Sequence, residues 1–165
     1  KLYKDGRVRA IGVSNFWRPY MDQLLEIAEI LPMVNQVEMH PGWYLKDVIE
    51  YSQSLGIQME CYGSIGGAGN AVLESPILGE IAKKYGKTPA QISMRWEIQH
   101  NVIPLFKTSK EERMIENQKV WDFELSAEDM ATIDAMEPCG GHNTNPDDHV
   151  DRTIEKWKIE CPDPQ

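Results

Sequence analysis

Val102-Ile-Pro-Leu-Phe-Lys-Thr-Ser-Lys-Glu-Glu-Arg-Met-Ile-Glu-Asn117 reads as a short apolar strand that empties into a polar loop at Lys107, Thr108 and Ser109 and then into a helix from about Lys110. A strand exit that meets a helix start is a natural place for an anion. The first helical turn leaves backbone N–H groups unpaired and carries the positive end of the dipole, and Lys107, Lys110 and Arg113 add full charges beside it. The same residues read equally well as an exposed helix start laced with Lys-Glu-Glu-Arg pairs. Choosing between these readings requires the rest of the chain.

Upstream, the pattern strand then helix repeats. Arg9 to Phe16 is a compact run ending in polar Ser14 and Asn15, which predicts a buried strand with polar groups at its exit. A helix follows from Pro19, with Met21, Leu24, Leu25, Ala28 and Leu31 on one face and Pro32 as its stop. Val34 to Met39 is the second strand, with His40 and Pro41 at its exit. Gln36 and Glu38 share one face of it and require partners if buried. A helix from about Lys46 to Leu55, capped by Gly56, leads to a third strand from Ile57 to Tyr62, whose exit is a glycine-rich loop from Gly63 to Gly69. Helices at about Ser75 to Tyr85 and Pro89 to Gln99 precede the strand Val102 to Leu105. Downstream, Ser126-Ala-Glu-Asp opens a last helix to about Met136, and Cys139 to Gln165 is a Pro-, Asn- and Asp-rich tail with a short helix at Asp151 to Lys158.

Four strands alternating with helices predict parallel pairing through right-handed crossovers. Every polar constellation falls after a strand's C-terminal end, the face at which such folds bind ligands. A closed barrel of this kind needs eight strands, and no internal repeat supplies the other four.

Composition narrows the partners. A chain of 165 residues suits one domain with a real core. A formal net charge of -9 argues against nucleic acid or an anionic membrane, and against that background the Lys107, Lys110 and Arg113 cluster stands out as a small-anion site. Cys61, Cys139 and Cys161 form no Cys-x-x-Cys pair and are odd in number, so the expected setting is reduced and cytoplasmic. No membrane-length apolar run or signal peptide is read. Lys1 to Gly6 reads as the last turn of a helix capped by Gly6, which predicts a piece of a longer protein; a processed chain that begins with Lys is the alternative.

Ile11-Gly-Val-Ser-Asn-Phe16, Val34-Asn-Gln-Val-Glu-Met-His-Pro41 and Ile103 to Asn117 resemble three consecutive signatures of the aldo-keto reductases, and Asp122-Phe-Glu-Leu-Ser-Ala-Glu-Asp-Met130 resembles the segment that follows them. The resemblance implies a (β/α)8 TIM barrel, of which this chain carries the C-terminal half, strands five to eight, over residues 1–136, with 137–165 a tail similar to the substrate loop. It also implies NADPH-dependent reduction of aldehydes or ketones by hydride transfer. The family's catalytic Asp, Tyr, Lys and His lie in the other half, so no catalytic residue is assigned here and the chain alone is expected to be inactive. His40 is expected to be structural or to rim the pocket.

Cofactor binding carries over by position. Ser14, Asn15 and Gln36 match the nicotinamide carboxamide ligands and Tyr62 the stacking aromatic. Gly63 and Ser64 lie where the family wraps the pyrophosphate, although the loop departs from the usual Ser-Pro-Leu-Gly form. Lys107, Thr108 and Arg113 match the 2′-phosphate group of an NADP(H) site, with Glu116 and Asn117 against the adenine. Leu105-Phe106 before Lys107 departs from the shorter Ile-Pro-Lys form. Trp157 and His142 are candidate pocket walls. The implied partners are a small carbonyl substrate and either the missing N-terminal half or a second half barrel, with no nucleic acid and no membrane. A non-catalytic nucleotide-binding or interaction module built from a half barrel is the competing expectation.

Overall fold

The computed structural model describes residues 1–66 and 72–139. Its elements run β1 (Gly12–Ser14), α1 (Arg18–Ile27), β2 (Val34–Glu38), α2 (Lys46–Ser54), β3 (Gln58–Tyr62), α3 (Pro76–Tyr85), α4 (Pro89–Gln99), β4 (Val102–Leu105), α5 (Glu111–Asn117) and α6 (Ala127–Asp134). All four strands are parallel and lie side by side in chain order. Consecutive parallel neighbours joined by helices are the units of a partial (β/α) barrel. The order expected from the sequence is the order found.

Local sequence signals set most boundaries. Thr88 caps α4 in a reciprocal box with Gln91, and Pro89 fills the first turn, where its missing N–H costs nothing. Ser75 and Ser126 cap α3 and α6 through their hydroxyls. At the start of the chain, the N–H of Arg7 bonds Leu2 O and that of Gly6 bonds Tyr3 O, with Gly6 at φ 70°. That paired pattern is the Schellman ending of a helical turn, as the sequence predicted for Lys1 to Gly6.

Two expected elements are shorter than their apolar patterns. The first strand keeps only Gly12–Ser14 of the expected Arg9 to Phe16. α1 ends at Ile27 with Ala28 already extended, although the apolar series continues to Leu31. Met21 is the one residue of α1 that is fully buried, while Ile27 and Leu31 are exposed. Beyond Met21 the apolar residues of the series are at most half-buried, and packing rather than propensity sustains a helix in water.

The core lies between one face of the sheet and the helices. Val37, Met59, Cys61 and Val102 point into it from β2, β3 and β4, and meet Leu78, Ile81, Ile92 and Trp96 from α3 and α4. The alternate strand positions, Ser14, Gln36, Glu60 and Ile103, are register partners across the sheet and face the other way. Ser14 and Ile103 there are exposed, and Gln36 and Glu60 half-buried.

Candidate cofactor site

Ser14 and Asn15 at the exit of β1 and Tyr62 at the end of β3 flank Gln36, the middle residue of β2. Ser14 and Gln36 are register partners, and the Ser14 hydroxyl donates to the Gln36 carbonyl at 3.0 Å. The Asn15 N–H reaches the same carbonyl at 2.9 Å. Asn15 sits at φ 57°, a left-handed conformation that Asn tolerates better than most residues, and its Oδ1 accepts from the Tyr62 hydroxyl at 3.0 Å. The Gln36 amide donates to Glu60 Oε2 at 3.0 Å. Glu60 was not among the sequence candidates, although the period of two that puts Gln36 on the open face puts Glu60 opposite it.

Two polar residues at the β2 exit, Glu38 and His40, are buried side by side. Glu38 Oε1 and His40 Nε2 lie 3.8 Å apart, and His40 Nδ1 sits 3.0 Å from the Pro41 carbonyl. His40 is fully buried, which suits a structural role.

The remaining candidates line one open cleft of about 1000 Å³ that begins at Tyr62. Gly63, Ser64, Lys107, Thr108, Arg113, Glu116 and Asn117 all line it. Gly63 stands at φ 73°, and a Cβ there would come within 3.3 Å of Glu38. A glycine therefore lets the loop backbone lie tight over the strand exits. The rest of the glycine-rich loop, Gly67 to Gly69, lies outside the described residues, as do His142 and Trp157.

Among the described residues Lys107, Lys110 and Arg113 make no ion pair, so the Lys-Glu-Glu-Arg segment is not a salt-bridged helix start. Lys110 is the N-cap, and Thr108 Oγ1 accepts from its N–H at 3.2 Å. α5 has seven residues and already carries Glu111 and Glu112 in its first turn. The helix end therefore adds little attraction for an anion, and the side-chain charges of Lys107 and Arg113 supply it. Sequence reading also missed the cleft's apolar walls. Leu105 and Phe106 line it with Leu73 and Met94, and both are partly exposed there. Their signal was the departure from Ile-Pro-Lys, which places two large apolar residues between the strand and Lys107.

The four parallel β/α units form a partial (β/α) barrel, with a polar cluster at its strand exits and a cation-lined cleft beside it. The sequence pattern of the Aldo/keto reductase family matches residues 1–138, and the chain belongs to that family. It is 46% identical to the glyoxal reductase of Bacillus subtilis (strain 168) over 148 residues, covering 90% of this chain and 53% of the relative. It is 36% identical to human aldo-keto reductase family 1 member A1 over 143 residues, covering 82% and 44%. Among solved structures, an aldo-keto reductase from a Medee basin deep-sea metagenome library matches with a TM-score of 0.84 at 36% identity, over 87% of this chain and 53% of that one. An aldo-keto reductase complexed with NADPH matches with a TM-score of 0.77 at 31% identity, over 83% and 45%. The chain spans about half the length of the curated relatives it matches.

Proposed function

We propose that this chain is the cofactor-holding C-terminal half of an NADPH-dependent aldo-keto reductase that converts aldehydes or ketones to alcohols. The observation that carries the reading is one continuous strand-exit surface: a hydrogen-bonding cluster at Ser14, Asn15, Gln36 and Tyr62 leads into a cleft lined by Lys107 and Arg113, cations that make no ion pair among the described residues.

The residues fit the cofactor part by part. A carboxamide needs both donors and acceptors, and Ser14, Asn15 and Gln36 offer hydroxyl and amide groups at one strand-exit level. Tyr62 gives the nicotinamide ring a flat apolar partner. Gly63 and Ser64 let backbone approach the pyrophosphate, Lys107, Thr108 and Arg113 take the 2′-phosphate, and Glu116 and Asn117 face the adenine. When bound, the cofactor supplies the hydride that reduces the carbonyl carbon. This chain orients the ring and excludes water from one side of it. Protonation of the carbonyl oxygen falls to the Asp, Tyr, Lys and His of the other half, so the 165-residue chain by itself turns nothing over. The open sheet face is where that half or a second half barrel would sit, residues 137–165 would wall the substrate pocket, and the compartment is the cytoplasm.

Arg113→Ala tests the assignment in the chain as it stands. NADPH affinity should fall about tenfold, the effect of one charged hydrogen bond to phosphate, while NADH affinity stays within about twofold. Equal weakening of both cofactors would remove the 2′-phosphate from this end of the cleft. The second reading, a non-catalytic nucleotide-binding or interaction module, is favoured by the exposed sheet face. Aldehyde turnover by the purified chain would overturn both it and the claim that the chain lacks a catalytic centre.

A further inference from the structure

Phe106 and Phe123 lie in opposite settings. The Phe123 ring packs on Tyr85 with centroids 5.7 Å apart, and the Lys87 ammonium stands over it at 5.0 Å. Phe106 is 42% exposed, and among the described residues no aromatic ring pairs with it and no cation stands over it. A single exposed apolar side chain is ordinary on a protein surface. This one lines the cofactor cleft, and so does its neighbour Leu105, itself 39% exposed.

Leu105 and Tyr62 are register partners on β4 and β3, so their side chains leave the sheet side by side on one face. Phe106 is the next residue and Lys107 the one after, with successive Cα atoms about 3.8 Å apart. An apolar wall of Leu105 and Phe106 therefore runs from Tyr62 to Lys107. Such a wall suits a ligand that carries a flat apolar face within a side chain's length of an anionic group. A free phosphate or a sugar phosphate has no such face. A nucleotide has one: its base stacks on an aromatic ring while its phosphate meets the charges. Glu116 and Asn117 offer the base polar edges to bond, but no flat surface to lie on.

We propose that Phe106 is a further cofactor-binding residue: its ring is the platform on which the adenine of the dinucleotide lies, and Leu105 extends that platform toward Tyr62. The proposal deepens the cofactor reading above and rests on it for the ligand. Stacking makes no use of the 2′-phosphate, so Phe106 acts on NADPH and NADH alike. Arg113 tells the two cofactors apart, and Phe106 holds the part they share.

The test is calorimetric titration of the 165-residue chain with NADPH, NADH and adenosine 2′,5′-bisphosphate, which carries the base and the 2′-phosphate without the nicotinamide. Phe106→Ala should weaken all three by about tenfold, within the range for one base stacked on one aromatic side chain. Phe106→Tyr, which keeps the ring, should stay within about twofold of the wild type. The urea midpoint of both variants should match the wild type, because the ring is exposed. Binding of all three ligands that Phe106→Ala leaves unchanged would overturn the proposal and leave the cofactor reading in place. Weakening of NADPH and the bisphosphate with NADH unchanged would also overturn it, since the ring would then act only by placing Lys107. So would a lowered urea midpoint in Phe106→Ala, which would assign the ring to the fold. A wild-type chain that binds none of the three overturns both readings. If the bisphosphate binds with the expected dependence while NADPH does not bind, the adenine platform stands and the dinucleotide reading falls.

Discussion

The two faces of the sheet are built differently, although they come from the same four strands. On one, Val37, Met59, Cys61 and Val102 are closed over by α2, α3 and α4. On the other, Ser14, Gln36, Glu60 and Ile103 stand open or half-open, and the first three are linked by hydrogen bonds. Apolar burial is what stabilises a domain of this size, so the covered face holds the fold together. The open face holds the polar groups that a ligand or a partner sheet would meet. Stability and the proposed binding role thus fall on opposite sides of one strand, residue by alternating residue.

The sharpest way to break that division is to empty the covered side. Trp96 has no exposed surface, packs edge-on against Tyr44 and His100, and donates its indole N–H to Asp134 at 2.7 Å. Trp96→Ala should cost about 3–5 kcal/mol, enough to unfold much of a marginal domain, as read by urea denaturation. A loss below about 1 kcal/mol would mean that the covered face is not the core. Tyr44 marks the same boundary: burial, helped by the nearby Asp134 and Glu50 charges, pushes its hydroxyl up to about 12. It therefore stays neutral beside His100 through the physiological range.

A second, smaller effect tests how the helical layer is clasped. Asp129 of α6 accepts from Lys84 at 2.7 Å, from Tyr85 at 2.5 Å and from the Ser126 hydroxyl at 2.7 Å. Burial alone would raise its carboxyl, but those hydrogen bonds and the Lys84 charge outweigh it and bring it down to about 2. The ordinary aspartate value is about 3.9, so the contribution is complete above that and is lost as pH falls through about 2. Asp129→Asn should cost on the order of 1–2 kcal/mol at pH 7, and the gap to the wild type should close between pH 4 and pH 2. A gap that stays constant down to pH 2 would show that the carboxylate charge is not what clasps α6.

The covered face was the legible one. Period-two alternation in Val34 to Met39, the Thr88-Pro89 cap and the Ser126 cap are local signals, and the elements they predict are present. α1 was overread because its apolar series runs past the surface available to bury it, and a one-dimensional pattern does not contain that surface. At the site, Ser14, Asn15, Gln36 and Tyr62 could be named from their motifs and strand-exit positions. The Gln36–Glu60 bond needed the sheet register, and the Ser93 bond to the Ser64 carbonyl needed the packing of α4 against the loop after β3. Neither follows from spacing along the chain. The polar groups that looked costly on β2 were the guide to where pairing had to be found.

The finest test uses two adjacent residues of β4. Val102 is 2% exposed on the covered face and Ile103 is 45% exposed on the open one. Both side chains are β-branched and apolar, so strand propensity changes little between the two truncations, and burial is what separates them. Val102→Ala should cost about 1–2 kcal/mol by denaturant titration, whereas Ile103→Ala should stay within about 0.5 kcal/mol. If Ile103→Ala matches Val102→Ala, the open face is covered in solution. The cost should then depend on protein concentration if a second copy covers it, because only a bimolecular contact makes stability follow mass action. A cost that is independent of concentration would instead place a segment of the same chain over the face. In either case the side of the strand assigned to binding would be carrying part of the fold.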